Sequence, residues 1–144
     1  MFSKACEYGI KSCIYLITQS LRDKKISLKD ISQEINSPEA FTSKILQLLV
    51  KKELIISYKG PAGGFYIHPE KLKQILLIDI VSAIDGDNIF RGCALGLEQC
   101  NEKMPCPVHE KFKLIRDDLK EMLATTTIYE LSLGLHEGLT YLKR

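Results

Sequence analysis

Apolar residues recur at helical spacing through the first third of the chain. Cys6, Ile10, Cys13, Ile17 and Leu21 fall on one stripe, which predicts an amphipathic helix over residues 3–22. The polar run Asp23-Lys24-Lys25 then makes a turn. Ser27 is placed to cap a short helix from Leu28 to Ile35, with Asp30 three residues on completing an imperfect capping box. Leu28, Ile31 and Ile35 give that helix its inward face. Asn36-Ser37-Pro38 interrupts the pattern. Ser37 as cap, Pro38 at the first helical position and Glu39 at the positive end of the dipole start another helix, which runs to about Lys52. Phe41, Ile45, Leu48 and Leu49 are its expected core positions. Two short helices joined by a tight turn make a helix-turn-helix.

The period then changes from helical to extended. Leu54-Ile55-Ile56-Ser57-Tyr58 predicts a strand, Lys59-Gly60-Pro61-Ala62-Gly63-Gly64 a turn, and Phe65-Tyr66-Ile67 a second strand. A hairpin in this place is a wing. Lys59 and the glycines Gly60, Gly63 and Gly64 would let its tip approach a phosphate closely. Residues 69–73 and 78–84 predict a connector of one or two helices. Residues 88–107 show no period and read as a loop. Beyond them Val108, Phe112, Ile115, Leu119 and Met122 step by four and three, a heptad seam flanked by Glu110, Lys111, Arg116, Asp117, Asp118 and Lys120. A last helix is expected over 128–142, with Ile128, Leu131, Leu135, Leu139 and Leu142 inward. The expected fold is mostly α with a small β-wing. A winged helix-turn-helix domain would occupy residues 1–75. The connector, a Cys-rich sensor loop and a long C-terminal dimerisation helix with its successor would occupy 76–144.

Composition sharpens this picture in two places. The 144 residues are 45% hydrophobic and 26% charged, as in an ordinary globular protein. Residues 1–75 carry 12 Lys/Arg against 7 Asp/Glu, whereas 76–144 carry 8 against 11. That asymmetry suits nucleic acid bound by the first part only. No apolar run reaches the roughly 20 residues of a membrane span, and Met1 to Glu7 lacks the pattern of a signal peptide, so a cytoplasmic protein is expected. Five cysteines, an odd number in a reducing compartment, favour metal or redox chemistry over a disulfide framework. Neither a phosphate-binding loop nor a nucleophile–base motif is present, which argues against an enzyme.

The informative cysteines lie in the aperiodic loop, spaced Cys93-x6-Cys100-x5-Cys106-x2-His109. Structural zinc sites usually begin with a tight Cys pair, which is missing here. Thiolates are the usual ligands of iron–sulfur clusters, and Cys106-Pro107 matches a step found in ferredoxins. The same three cysteines could instead act by thiol oxidation, or hold zinc. Cys6 and Cys13, on the apolar stripe of the first helix, read as small buried hydrophobes.

Several segments together resemble one family. These are Lys4-x3-Tyr8-Gly9-Ile10, Ser27-Leu28-Lys29-Asp30-Ile31, the wing from Leu54 to Phe65, Ile78-Asp79-Ile80-Val81-x2-Ile84-Asp85-Gly86, the triple-Cys loop, and Thr126-Thr127-Ile128-x-Glu130-Leu131. The chain resembles the Rrf-two family of bacterial winged-helix transcriptional regulators, of the IscR and NsrR kind, over nearly its whole length. Lys59 stands where the family commonly has Arg, and Ala62 where it has Gly. Lysine keeps the charge but loses the bidentate fork.

The resemblance implies a homodimer, probing double-stranded DNA at a pseudo-palindromic operator, in most cases as a repressor. The second helix of the motif would enter the major groove, presenting Glu39, Ser43 and Lys44, with Thr42 as a weaker contact. Lys59 would reach the adjacent minor groove with Tyr58 beside it, and Gly60 and Gly63 would line the wing tip. An iron–sulfur cluster, 2Fe-2S or 4Fe-4S, would bind Cys93, Cys100 and Cys106. For the fourth ligand there are two candidates: His109, where some members use a histidine, or Glu7 of the partner subunit, where others use an acid. The residues alone give bland alternatives, a surface His109 at a helix start and a Glu7 paired with Lys11.

Overall fold

A computed structural model describes residues 1–144. Its elements are α1 (Lys4–Ser20), α2 (Leu28–Glu34), α3 (Glu39–Lys51), β1 (Ile56–Tyr58), β2 (Gly64–Tyr66), a 3-10 turn (Pro69–Lys71), α4 (Leu77–Ile84), α5 (Asn88–Arg91), α6 (His109–Thr125) and α7 (Ile128–His136). This is the expected winged-helix architecture, mostly helical with one two-stranded antiparallel sheet. No helix is long and apolar enough to cross a membrane.

Local chemistry explains most boundaries. The Ser3 hydroxyl accepts the Cys6 amide at 3.1 Å to start α1. Ser27 caps α2 by accepting the Asp30 amide at 3.1 Å, and its own hydroxyl donates to the Asp30 carboxylate at 2.8 Å. Asn36 takes a left-handed φ of 52° in the turn of the motif, a conformation its short polar side chain tolerates. Thr127 and Glu130 form a full capping box at the start of α7.

α1 is the central rod, packed against α3, α4 and α7. Gly9 permits the close approach of α4, because a Cβ there would sit 2.2 Å from the Ile84 methyl. One apolar cluster runs from Cys6 through Leu16, Ile31, Leu46, Ile67 and Ile80 to Leu123 and Ile128. It is continuous across residue 75. Backbone pairs Leu77–Thr126 and Ile128–Ile75, each 2.9 Å, tie the start of α7 to that of α4. The Ser3 amide donates to Asp85 at 2.9 Å and ties the N-terminus to the end of α4.

Several expectations need correction. Ser37 does not cap α3. The helix begins after Pro38 with no side-chain cap, and the Ser37 hydroxyl bonds that of Thr42 at 2.5 Å instead. Phe41 is 38% exposed, edge-on to Tyr8, while Leu46 fills the core position. Leu21 lies past the end of α1 and is exposed. A helical turn, α5, interrupts the segment read as loop. The last helix stops at His136, where Gly138 adopts φ 70° beyond its end, and Leu139 is exposed rather than inward.

Candidate nucleic-acid interface and cysteine loop

The exposed N-terminal half of α3 presents Glu39, Ala40 and Lys44 to solvent, with Ser43 half-buried and receiving a hydrogen bond from Gln47 Nε2 at 3.3 Å. Thr42 is excluded from this surface. Its side chain is fully buried and its hydroxyl donates to the Pro38 carbonyl at 2.9 Å, so it secures the first turn of α3 from inside.

The wing pairs Ile56 with Tyr66, Ser57 with Phe65 and Tyr58 with Gly64. Lys59 and Gly60 are exposed at its tip, Gly63 is half-buried, and the Gly63 amide closes the turn on the Gly60 carbonyl at 2.9 Å. Ile26, just before α2, bridges Phe65 through two backbone hydrogen bonds of 3.0 and 2.8 Å. Helix-turn-helix and wing are therefore one hydrogen-bonded unit. This brings in a residue that pattern reading missed. Lys25 Nζ lies 4.2 Å over the Tyr58 ring, which in turn meets Tyr66 edge-on at 6.5 Å. The Tyr66 hydroxyl donates to Asp23 at 3.1 Å. The β-branched Ile26 between a lysine pair and the Ser27 cap was the available signal for an extra extended residue.

The cysteine loop closes over the first two turns of α6. All five cysteines are free, and Cys93, Cys100 and Cys106 are half-buried. Cys100 Sγ is 3.4 Å from His109 Nδ1. The Leu95 and Leu97 amides, then the Cys106 thiol and the Gly96 amide, turn toward Cys93 and hold its pKa below the ordinary thiol range. His109 is 4% exposed, which removes the surface reading, and its Nε2 is buried without a partner. Arg116, assigned by pattern to the charged outer face, is also buried. Its Nη1 donates to the Gly92 carbonyl at 3.1 Å. The nearby Cys100 sulfur raises the guanidinium pKa, although Nε makes no hydrogen bond of normal geometry. Glu102 on the loop pairs with Lys113 of α6 and pins the outer edge.

No three His, Cys, Asp or Glu side chains converge tightly enough to hold a single metal ion. Three thiols and an imidazole are donor types that iron–sulfur clusters use, and backbone N–H groups directed at sulfur are a common feature of such sites. Glu7 is not joined to the loop. It pairs with Lys4 at 2.8 Å, not with Lys11, and Lys4 holds its carboxyl below the usual range. Cys6 and Cys13 are fully buried, as expected of core thiols.

On α6 the inward positions His109, Arg116 and Leu123 repeat every seven residues. Leu114, Ile115 and Met122 point outward, and Leu114 and Ile115 are 68% and 65% exposed. An apolar face of this kind on a heptad helix suits a second copy of the chain.

Comparison with known proteins agrees with this arrangement. The profile of the Rrf2 family, described as iron-dependent transcriptional regulators, matches residues 2–133. A protein of Aquifex aeolicus (strain VF5), named as an HTH-type transcriptional regulator, is 29% identical over 133 residues, 91% of this chain and 90% of its own. CymR (YrzC), the global cysteine regulator of B. subtilis, superposes with a TM-score of 0.75 at 25% identity, over 92% of this chain and 96% of that one. IscR of T. potens shares the fold, with a TM-score of 0.73 at 18% identity over 97% and 91% of the two chains. With its helix-turn-helix, wing and cysteine loop in this order, the chain belongs to the Rrf2 family of transcriptional regulators.

Proposed function

We propose that the chain is a homodimeric repressor whose operator affinity is set by an iron–sulfur cluster in the cysteine loop. Cys93, Cys100 and Cys106 would hold it, with His109 as fourth ligand and Glu7 of the partner subunit as the alternative. The observation that carries this reading is the seating of Cys100 on His109, with Cys93 and Cys106 turned together beside it. Bound there, a cluster supplies a group that iron shortage or oxidation removes. The chain's own residues do the rest. Lys44 and Ser43 face the major groove with Glu39, while Lys59, Gly60 and Gly63 carry the wing to the backbone and Tyr58 supports them. The exposed face of α6 pairs two copies so that the operator is pseudo-palindromic. The loop can change DNA affinity only by the difference in its stability between the DNA-bound and free arrangements. α6 is the physical link, because it carries His109 on one side and Ile115 on the other.

The deciding experiment is the visible spectrum, with iron and sulfide content, of full-length protein prepared without oxygen. Coloured protein with stoichiometric iron and sulfide supports the cluster. A colourless protein that also resists reconstitution removes it. The proximity of Cys106 to a Cys93 of lowered pKa, together with the likeness to a cysteine regulator, then favours thiol redox sensing by the same loop. Zinc alone would favour a structural site.

A further inference from the structure

Arg116 occupies a place at odds with its charge. Its side chain is 10% exposed, and the only carboxylate within 4 Å is the exposed Asp117, at 3.8 Å. Nη1 is satisfied by the Gly92 carbonyl, but Nε is buried with no partner. One heptad earlier on the same face, His109 Nε2 is likewise buried and unpartnered. A guanidinium withdrawn from water is costly unless something anionic answers it, and the neighbouring protein groups include no buried carboxylate. The groups that do surround it are the cysteine loop, with Cys100 beside the guanidinium and Gly92 directly before Cys93.

We propose that Arg116 is the counter-charge of the cysteine loop, a positioning residue whose fixed cation balances the anionic thiolate–cluster assembly and whose Nη1 holds the loop at Gly92. The inference rests on the cluster reading above and extends it to a residue outside the ligand set. Arginine suits the role because its charge does not titrate and its fork can hold a carbonyl while facing sulfur. In the protein without a cluster the same charge is a burden, since it is buried without an equal partner.

The test compares full-length wild type with Arg116→Met, Arg116→Gln and Arg116→Lys, each with and without anaerobic reconstitution. Two quantities are read: the rate of iron release to a ferrous chelator, and the thermal midpoint of the iron-free protein. The expected result is release about 10–100-fold faster in the Met and Gln variants, the usual effect of losing a supporting contact. The iron-free midpoint should stay unchanged or rise, and Lys should restore part of the retention. A purely structural role would instead lower the iron-free midpoint. Unchanged iron release, a lowered midpoint in both neutral variants, or failure of both to fold overturns the proposal. If wild type itself takes up no iron and sulfide, the cluster reading falls and takes this inference with it. If wild type loads and the variants match it, only the role of Arg116 falls.

Discussion

His109 Nδ1 lies 3.4 Å from Cys100 Sγ, so the middle thiol of the loop is seated on the first turn of α6. Because the remaining length of α6 exposes Leu114, Ile115 and Met122, one helix joins the candidate sensor to the candidate subunit contact. His109→Ala is expected to leave the iron-free fold intact, since the imidazole makes no hydrogen bond other than that to sulfur, and to change the visible spectrum of the reconstituted protein. An unaltered spectrum would remove His109 from the ligand set and favour Glu7.

The Lys25–Tyr58 contact, 4.2 Å from ammonium to ring centre, makes the wing's posture depend on a residue outside it. Lys59→Ala should weaken operator binding and reduce its logarithmic salt dependence by about two, one phosphate contact being lost from each protomer of the dimer. Lys44→Ala should also weaken binding. Lys25→Ala should weaken it less, while Tyr58 fluorescence changes. Electrophoretic shift assays across a salt series decide, and unaltered affinity in the Lys44 and Lys59 variants would refute the interface.

Gly64 has φ 143°, and a Cβ there would lie 2.7 Å from the Ile26 carbonyl oxygen. Gly64→Ala would force apart the bridge that fastens the wing to the start of α2. The expected cost is about 1–3 kcal/mol of unfolding free energy, measured by urea denaturation, with weaker DNA binding.

Ile115 is exposed on the apolar face of α6. Ile115→Glu would bury a charge wherever that face meets its symmetry mate, so the variant should sediment as a monomer with an unchanged circular dichroism spectrum. A dimer that survives this change would have its contact elsewhere.

Burial pushes the Cys13 thiol up to about 12, and burial together with the Asp85 carboxylate does the same for Cys6. These are raised folded-state values, so the stability they accompany is intact below the ordinary thiol pKa of about 8.5. It is lost as the unfolded state ionises between there and about 12, by up to about 1.4 kcal/mol per pH unit for a buried thiol. Cys13→Ala should flatten the alkaline decline in urea midpoints. Cys93 is shifted the other way, so iodoacetamide near neutral pH should label it while Cys6 and Cys13 stay protected.

The succession of elements was written in local chemistry. Ser27 with Asp30 marks the start of α2, Asn36 and Pro38 mark the turn, and the glycine-rich run between β-branched strands marks the wing. Each works within a few residues, through a cap, a left-handed turn or a change of period, and needs no distant partner. The three loop cysteines were legible for the same reason: their spacing is a property of the chain.

Which way a side chain points within a helix was decided by packing. Periodicity alone placed Phe41 inside and Thr42 outside. The neighbours of α3 instead bury Leu46 and Thr42 and leave Phe41 half out, edge-on to Tyr8 of α1. Arg116 read as one more charge on a solvated face, but the loop folds over it and over His109, one heptad apart, through Gly92 and Cys100. Lys25 could meet Tyr58 only once Ile26 had paired with Phe65, 39 positions further along the chain. A helical period supplies two flanks of nearly equal polarity. Only the neighbours brought in from distant sequence determine which flank loses its water, and both the candidate sensor and the candidate wing contact depend on that choice.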